Sequence, residues 1–387
     1  MQPQHRAWAE IDLAAFRSNL AAARARAGDA EVWPVLKANA YGHGALPCAR
    51  ACGEEGVRRI GVGDSAEALQ LRLGGVRTPL LVLGTVIDAE VPDLLEHDVE
   101  VGVHSEGRAR ALGTLAQAAG RRLGVHLKVD TGMGRLGVRP EAVRRVAEAI
   151  RDTPALELRG LMTHYASSAG CDASATSVQS ALFADAARAV EAALGFRPAL
   201  HAANSAVLFS GSPPFGDAVR PGIALFGVAA GGPVADAALL PVLSLRTQVV
   251  FLKDVPAGQP VGYDGRWKAP AATRIATLPI GYNDGVPWRL GAGGGGEVLL
   301  RGRRCPMVGA VSMDYVTVDV GHVPGIDVGD VATLIGADGA ERIRAEDVAR
   351  AAGTIPYEIA CSIGARVHRL IRDGSARLAE EPATAGR

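Results

Sequence analysis

The feature that most constrains the fold of this chain is a repeated alternation of short apolar runs with helical stretches between about residues 32 and 227. The eight apolar runs are "VWPVLKAN" from Val32, "RIGVGD" from Arg59, "PLLVLG" from Pro79, "VEVGVHS" from Val99, "VHLKVDTG" from Val125, "LRGLMTHYA" from Leu158, "ALHAANS" from Ala199 and "AVRPGIALFG" from Ala218. Strands that alternate with helices are typical of a parallel sheet with crossover connections. Eight such units in roughly 200 residues predict an eight-stranded (β/α)8 barrel of the TIM type, slightly compact against the ~250 residues usual for it. An open doubly wound sheet is the alternative.

The pattern changes after a glycine-rich stretch, "GVAAGGPVADAA", where strand-like segments follow one another without long helices. These segments are "LSLRTQVVFLKDV", "ATLPIGY", "EVLLRG", "PMVGAVSMDYVTVDV" and "VATLIG". We therefore predict a barrel domain over residues 1–238 and a mostly β C-terminal domain over residues 239–387, an α/β chain overall. The first ~10 residues are expected to pack with the C-terminal domain. Asp12 is expected to cap a helix on which Leu13, Phe16 and Leu20 share one face.

Composition narrows the class of partner. The 41 basic and 41 acidic residues give no electrostatic bias toward nucleic acid or an anionic membrane, so a small molecule is the expected partner. The sequence shows no leader segment and no apolar run near the length of a membrane span, which predicts a cytoplasmic protein. Five scattered cysteines lack paired spacing, so we expect neither structural disulfides nor a metal site.

Polar side chains gather where the predicted strands end, and the chemistry of such barrels belongs at those ends. They are Lys37, Asn39 and Tyr41 at the end of the first run, Lys128, Asp130 and, just beyond, Arg135 at the end of the fifth, His164 in the sixth, His201, Asn204 and Ser205 in the seventh, and Arg220 at the start of the eighth. Taken singly, each is more often a residue that satisfies backbone groups. Together they predict a cationic pocket for a ligand that carries a phosphate and a carboxylate.

Lys37 has a chemical use in such a pocket. A lysine beside other cations binds its proton less tightly and becomes a nucleophile toward carbonyl carbon. Gly222, in "PGIALFG", lets backbone N–H groups approach a phosphate, and the Ser205 hydroxyl and Tyr41 phenol could complete that site. A carbonyl cofactor with a phosphate handle that draws electrons from an amino acid is pyridoxal phosphate.

The residues resemble one known family over nearly the whole chain. The matching segments, in order, are "RAWAEIDLAAFRSNL", "VLKANAYGHG", "KVDTGMGRLGV", "THYA", "HAANSA", "VRPGIALFG", "LPIGYNDG", "VSMDYVTVD" and "IPYEIACSIGARV". The chain resembles the bacterial alanine racemases, which use pyridoxal 5'-phosphate. The resemblance implies interconversion of L- and D-alanine and a supply of D-alanine for peptidoglycan.

The resemblance also implies roles for individual residues. Lys37 would hold the cofactor as an internal aldimine and act as one of two acid/base groups, with Tyr263 of "VGYDG" on the opposite face of the substrate. His164 would contact the tyrosine, and Arg220 would lie behind His164 and face the pyridine nitrogen. Arg135 would bind the cofactor phenolic oxygen and the substrate carboxylate. The remaining matches are Lys128 to a lysine carbamylated in many members, Tyr41, Asn204, Ser205, Gly222, Ile223 and Tyr357 to cofactor-binding positions, and Met313, Asp314 and Tyr282 to substrate-side positions.

The family's active site is shared between two chains, so the resemblance implies a homodimer in which Tyr263 and Met313 come from the second subunit. Two positions depart from the family pattern, Ser312 in place of cysteine and Asp264 in place of glycine. Three alternatives remain open: a serine or broad-specificity racemase, a non-catalytic pyridoxal-phosphate carrier, and a decarboxylase. The carrier needs no opposing base, and a decarboxylase would favour an acidic partner for the pyridine nitrogen in place of Arg220.

Overall fold

The computed structural model describes residues 5–166, 173–210, 216–228, 239–291, 293–374 and 379–380. The chain divides into two compact units, which we call the barrel unit and the β unit. The barrel unit comprises Phe16–Ala40 and Ala45–Leu240, and the β unit comprises Met1–Ala15, Tyr41–Gly44 and Pro241–Arg387. The predicted boundary between residues 238 and 239 adjoins residues 229–238, which lie outside the described residues, so it stays a prediction.

The first strand, β1 (Ala7–Asp12), belongs to the β unit, and the next eight strands form the barrel. The barrel strands are β2 (Glu31–Val32), β3 (Ile60–Val62), β4 (Leu80–Val82), β5 (Val99–Val103), β6 (Leu123–Lys128), β7 (Leu156–Met162), β8 (Ala199–Asn204) and β9 (Ala218–Arg220). The helices that follow the chain through this region are α1 (Leu13–Ala27), α2 (Ala45–Glu54), α3 (Ser65–Leu73), α4 (Val91–Glu96), α5 (Glu106–Ala118), α6 (Val143–Arg151), α7 (Ala173–Leu194) and α8 (Ser205–Phe209). Short 3-10 helices cover Asp88–Glu90, Pro140–Ala142 and Ile223–Phe226.

The eight barrel strands are parallel and form one sheet in the order β2-β9-β8-β7-β6-β5-β4-β3. A parallel bridge between Val35 and Gly61 joins the two ends of this order. Two backbone hydrogen bonds of 2.8 Å reinforce it, from Leu36 N–H to Gly61 O and from Gly61 N–H to Pro34 O. The sheet is therefore a ring, which confirms the predicted barrel and excludes the open sheet.

The first predicted run differs from the structure at its end. Regular strand pairing covers only Glu31–Val32, and after Lys37 the backbone turns left-handed, with φ of 54° at Ala38, 51° at Asn39, 54° at Ala40 and 52° at Tyr41. This conformation costs roughly 1–2 kcal/mol for each residue that is not glycine. Local hydrogen bonds support it: Ala40 N–H donates to Leu36 O at 2.8 Å, and Ala45 N–H to the Asn39 side-chain oxygen at 2.7 Å.

The predicted cap of the first helix is confirmed. Ala15 N–H donates to the Asp12 carboxylate at 3.0 Å, which satisfies one of the free donors at the helix start. Leu13, Phe16 and Leu20 are buried, as their helical spacing predicts.

The β unit is built on an eleven-stranded sheet and a separate two-stranded hairpin. Its strands after β1 are β10 (Leu243–Gln248), β11 (Phe251–Val255), β12 (Pro260–Val261), β13 (Trp267–Lys268), β14 (Thr273–Leu278), β15 (Glu297–Leu300), β16 (Arg303–Val308), β17 (Val316–Asp319), β18 (Val331–Asp338), β19 (Glu341–Ile343), β20 (His368–Arg372) and β21 (Ala379–Glu380). Its helices are α9 (Ala345–Ala352) and α10 (Pro356–Cys361), and its 3-10 helices are Tyr263–Gly265, Tyr282–Asp284 and Trp288–Leu290. Strand β1 pairs with β10 and β20, which ties the N-terminal segment into this unit.

Among the residues that the structure describes, none of the helices combines the length and apolar character that a membrane span requires.

The fully buried Asn19 amide fixes α1 within the barrel unit. Its nitrogen donates to Leu225 O at 3.0 Å and Leu240 O at 2.7 Å, and its oxygen accepts from Leu240 N–H at 2.7 Å. We expect Asn19→Ala to lower the free energy of unfolding by about 2–3 kcal/mol, because buried backbone groups lose their partners. Denaturant unfolding followed by circular dichroism measures this. Ser18→Ala, an exposed change on the same helix, is the control and should be neutral; equal stability of the two variants would contradict the role given to Asn19.

Candidate active site

The ends of the barrel strands bring cationic side chains together. Lys128 ends β6 and Arg220 ends β9, while Lys37 follows β2 and Arg135 lies in the loop after β6. All four charges act on His164, which follows β7. The predicted cationic group therefore exists in the barrel unit, and it suits an anionic ligand.

Lys128 is buried among these cations. Its Nζ donates to Leu83 O at 3.2 Å. Burial, together with the charges of Arg220, Arg135 and Lys37, lowers the pKa of Lys128 to about 8. Part of the Lys128 population is therefore a neutral, nucleophilic amine near neutral pH.

His164 is a neutral imidazole at neutral pH. Burial first, and then the charges of Arg220 and Arg135, lowers the pKa of His164 to about 3. Its Nδ1 lies 3.5 Å from a terminal nitrogen of Arg220, which is long for a hydrogen bond. A neutral imidazole of this kind can donate from one nitrogen and accept at the other.

Arg220 is buried and held by acceptors from neighbouring strands. One terminal nitrogen contacts His201 Nδ1 at 2.8 Å, and the other donates to Thr163 O at 2.6 Å and Ala202 O at 3.1 Å. Burial lowers the pKa of Arg220 to about 10, so the guanidinium is still charged at neutral pH. These bonds account for three of its five N–H groups, which leaves two donors for a ligand.

Ser205, Gly222 and Ile223 form the candidate phosphate site of the barrel unit. The buried Ser205 hydroxyl oxygen accepts from Gly222 N–H at 2.8 Å and from Ala224 N–H at 3.3 Å. With both acceptor positions used, its own hydrogen is left to donate, which suits a phosphate oxygen. The 3-10 helix that begins at Ile223 adds one backbone N–H group, that of Ile223, without an intrahelical acceptor.

Asn204 has a positioning role in this structure. Its side-chain oxygen accepts from Val207 N–H at 3.1 Å and caps α8, and its nitrogen lies 3.3 Å from Tyr165 O. The cap fixes the start of α8 and thereby the Ser205 side chain. Direct cofactor binding by Asn204 stays a prediction.

The β unit brings two further candidates together. The ring centres of Tyr41 and Tyr357 are 6.1 Å apart, and the two ring planes are inclined at 63°. Gly42 beside Tyr41 is irreplaceable, because a Cβ there would lie 2.1 Å from Ala360 O. Burial raises the pKa of Tyr357, so its phenol is a neutral hydrogen-bond donor.

Three candidates of the β unit are exposed: Tyr263 by 71%, Met313 by 52% and Tyr282 by 45%. Tyr263 lies in the turn between β12 and β13. Tyr282 and Met313 are neighbours, since Tyr282 N–H donates to Ser312 O at 3.0 Å and Asn283 N–H to Met313 O at 3.2 Å. Large exposed aromatic and thioether groups are typical of a surface that meets a partner.

Asp314 is paired rather than free. Its carboxylate accepts from Arg366 at 2.7 Å, and the same arginine bonds the buried Asp284 at 2.9 Å and 3.1 Å. This pairing orients Asp314 beside Met313. Contact of Asp314 with the substrate stays a prediction.

The two departures from the family pattern are accommodated locally. Asp264 has φ of 61°, a region that aspartate tolerates better than most residues, and its carboxylate lies 3.4 Å from Arg266. The Ser312 hydroxyl accepts from Tyr315 N–H at 3.0 Å and donates to Tyr315 O at 2.9 Å, which closes the turn that carries Met313.

Sequence reasoning missed a buried polar group beneath the strand ends. Glu100 and His126 lie in the barrel interior, and His201, expected at the rim, is fully buried against Arg220. A glutamate within the apolar "VEVGV" and a histidine within "VHLK" are the signals that could have identified them.

Comparisons with known proteins agree with this architecture. The family model for the alanine racemase N-terminal domain matches residues 11–230, and the model for the C-terminal domain matches residues 242–371. The alanine racemase of Syntrophobacter fumaroxidans is 38% identical over 371 residues, which cover 95% of this chain and 98% of the relative.

Solved structures agree as well. The alanine racemase from D-cycloserine-producing Streptomyces lavendulae superposes with a TM-score of 0.91 at 33% identity, covering 96% of this chain and 98% of that one. The alanine racemase from Bartonella henselae, solved with covalently bound pyridoxal phosphate, has a TM-score of 0.83 at 31% identity and covers 96% and 100% of the two chains.

The barrel with its cationic strand ends and the appended β unit define a pyridoxal-phosphate-dependent isomerase. The residues present fit that cofactor, because the Ser205 hydroxyl and the cations suit its phosphate and Lys37 can bind its aldehyde. The chain belongs to the alanine racemase family.

The lowered pKa of Lys128 predicts reaction of its amine with carbon dioxide. With a pKa of about 8, about one tenth of the side chains are neutral at pH 7 and about half at pH 8. At constant dissolved ¹³CO2, we expect a carbamate signal in ¹³C NMR that grows as the pH rises through 8. Lys128→Ala should abolish this signal, and Lys268→Ala, at an exposed lysine, should leave it unchanged. A carbamate signal that persists in Lys128→Ala would come from another amine and would contradict this prediction.

Proposed function

We propose that this protein interconverts L- and D-alanine with Lys37 and Tyr263 as the two acid/base groups. The observation that carries the proposal is the cluster of cations that includes Lys37 at the barrel strand ends, in a chain that matches the family models over residues 11–230 and 242–371. We expect the D-alanine to be used for peptidoglycan and the protein to be located in the cytoplasm.

The barrel unit supplies the proposed binding groups. Lys37 would hold pyridoxal phosphate covalently, and Ser205, Gly222 and Ile223 would bind its phosphate. Tyr41 and Tyr357 are further proposed cofactor-binding residues. Arg135 binds the carboxylate of the amino acid, since a guanidinium matches a carboxylate with two parallel hydrogen bonds. A carbamylated Lys128 would carry a negative charge and orient Arg135.

When bound, pyridoxal phosphate acts as the electron sink that acidifies the Cα–H of the amino acid. The Lys37 amine moves the Cα proton of the D enantiomer, and the phenol of Tyr263 of the partner subunit moves that of the L enantiomer. Removal on one face and return on the other inverts the centre.

His164 and Arg220 set the protonation around this centre. A neutral His164 can hydrogen-bond the phenol without competing for its proton. Arg220 is the proposed partner of the pyridine nitrogen, and a guanidinium only donates, so it leaves that nitrogen unprotonated. This limits the electron sink, which favours return of the proton over side reactions and disfavours the decarboxylase alternative.

A homodimer with shared sites follows from the same proposal. Tyr263 is 71% exposed and Met313 52% exposed, as expected for side chains that reach into a neighbouring chain, where Met313 and Asp314 would line the substrate site and Tyr282 its approach. The carrier alternative leaves these groups without a use. A serine or broad-specificity racemase stays the second candidate, because one hydroxyl or methylene is weakly discriminated.

The first test removes the proposed phenolic base. For Tyr263→Phe we expect unchanged cofactor content and a fall in racemisation of about 10²–10⁴-fold, because a positioned acid/base group contributes that much. Solvent deuterium exchange at Cα should fall more for L-alanine than for D-alanine. Tyr315→Phe, an exposed tyrosine of the same unit, is the control. Loss of bound cofactor in Tyr263→Phe would contradict the assigned role.

The second test addresses sharing of the site. Lys37→Ala and Tyr263→Phe chains should each be inactive alone. When they are unfolded, mixed and refolded, the heterodimer holds one site with both groups intact, so half of the heterodimer's sites should recover activity. A mixture as inactive as its components, with heterodimers verified by mass spectrometry, would exclude a shared site.

A further inference from the structure

We propose that Glu100, His126 and His201 form a buried hydrogen-bond relay that positions Arg220 and fixes the direction of its hydrogen bonds. Glu100 is the positioning residue at the far end of the relay. The inference rests on the function proposed above for Arg220, and it adds residues that act through Arg220.

Three contacts of equal length make up the relay. Glu100 Oε2 lies 2.8 Å from His126 Nε2, His126 Nδ1 lies 2.8 Å from His201 Nε2, and His201 Nδ1 lies 2.8 Å from a terminal nitrogen of Arg220. All four side chains are buried. The relay crosses the barrel interior through β5, β6, β8 and β9.

The hydrogen-bonding chemistry of Arg220 and Glu100 determines which nitrogen carries each proton between them. A guanidinium only donates, so His201 must present a lone pair at Nδ1 and carry its proton on Nε2. That proton is donated to His126 Nδ1, so His126 carries its own proton on Nε2 and donates it to Glu100. A carboxylate only accepts, which closes the sequence. Any other tautomer, or a further proton on either ring, places two N–H groups or two lone pairs face to face.

The charge states agree with this pattern. Burial lowers the pKa of both His126 and His201, which keeps the two rings neutral. Burial alone would raise the pKa of Glu100, but the hydrogen bond from His126 and the hydrogen bond and positive charge of Arg59 outweigh it and lower that pKa to about 2. Glu100 is therefore ionised and fixed at the accepting end.

Two arginines hold the Glu100 carboxylate. Arg59 donates to it at 2.9 Å from β3's N-terminal flank, and Arg159 of β7 donates at 2.7 Å. The Arg59 guanidinium also lies over the Trp33 ring, 4.4 Å from its centre, and Trp33 packs against His201 with ring centres 4.7 Å apart. Glu100 and His201 are thus both held by contacts outside the relay.

Gly160 makes the contact between the two histidines possible. A Cβ at this position of β7 would lie 2.2 Å from His126 Nδ1 and 3.1 Å from His201 Nε2. Any side chain would enter the gap that the relay uses. The sequence therefore provides an empty position at the midpoint of the hydrogen-bonded chain.

The interior of such a barrel is usually filled with branched apolar side chains, and buried ions are costly unless fully paired. A continuous set of paired groups that ends on Arg220 has a use beyond packing. It holds the guanidinium in one place and in one hydrogen-bonding direction, so that its remaining N–H groups stay aimed at the ligand.

The test is ¹⁵N NMR of histidine side chains in the cofactor-loaded protein, assigned with His126→Asn and His201→Asn. In the wild type we expect both rings to show a pyrrole-like Nε2 and a pyridine-like Nδ1. Glu100→Gln replaces a carboxylate that only accepts with an amide that can also donate, so at least one ring should change to a mixed or reversed tautomer. We also expect kcat to fall about tenfold with less than a twofold change in KM, which is typical when a residue that supports a functional group is removed. Glu157→Gln is the matched control, because Glu157 also contacts Arg159, at 3.3 Å, but is part of no relay.

The outcomes separate the relay from the proposed function. A wild-type ring that is protonated or carries its proton on Nδ1 overturns the relay, even if Glu100→Gln does not fold. Glu100→Gln spectra and kcat equal to those of Glu157→Gln overturn it as well. Wild-type protein with the expected tautomers but no racemase activity would support the relay and refute the proposed function.

Discussion

The electrostatic repulsion among Lys37, Lys128, Arg135 and Arg220 is the constraint on which the rest of the site depends. Like charges in a partly buried group oppose one another, and the barrel unit reduces this repulsion in different ways at Lys128 and at Arg220. Lys128 gives up part of its proton, with a pKa of about 8, and Arg220 directs its N–H groups to backbone oxygens and His201. A ligand with a phosphate and a carboxylate removes the remaining repulsion, so ligand binding and the stability of this region are coupled.

The left-handed turn after Lys37 is the second costly feature, and it lies beside the residue proposed to hold the cofactor. The turn is held by short-range hydrogen bonds, among them those of Glu67, whose carboxylate accepts from Ala38 N–H at 2.5 Å and from Gly63 N–H at 2.7 Å. Because both donors lie at the ends of neighbouring barrel strands, the strand ends fix the backbone that carries Lys37. A strained backbone that its surroundings fully determine gives its side chain a defined origin.

Much of this could be predicted from the sequence, for reasons that particular residues make clear. Eight apolar runs were enough to predict the ring of strands, and the rule that function lies at strand ends selected Lys37, Lys128, His164 and Arg220 together. The left-handed turn was not predictable, because Ala38 and Ala40 carry no sequence signal for positive φ. Glu100 and His126 were missed because their role depends on partners from other strands, whereas the strand-end rule considers each run alone.

The proposed oxygen base needs positive charge that its own turn does not supply. The turn that carries Tyr263 offers no net positive charge, since Asp264 and Arg266 pair at 3.4 Å, and the phenol is 71% exposed. A phenol works as a base near neutrality only where cations favour its phenolate. In the proposed dimer those cations belong to the barrel of the other chain. The phenolate would in turn reduce the excess of positive charge in that barrel. The cationic strand ends thus carry an excess of positive charge and the exposed turn carries no net charge, so the proposed dimer would satisfy both with one interaction.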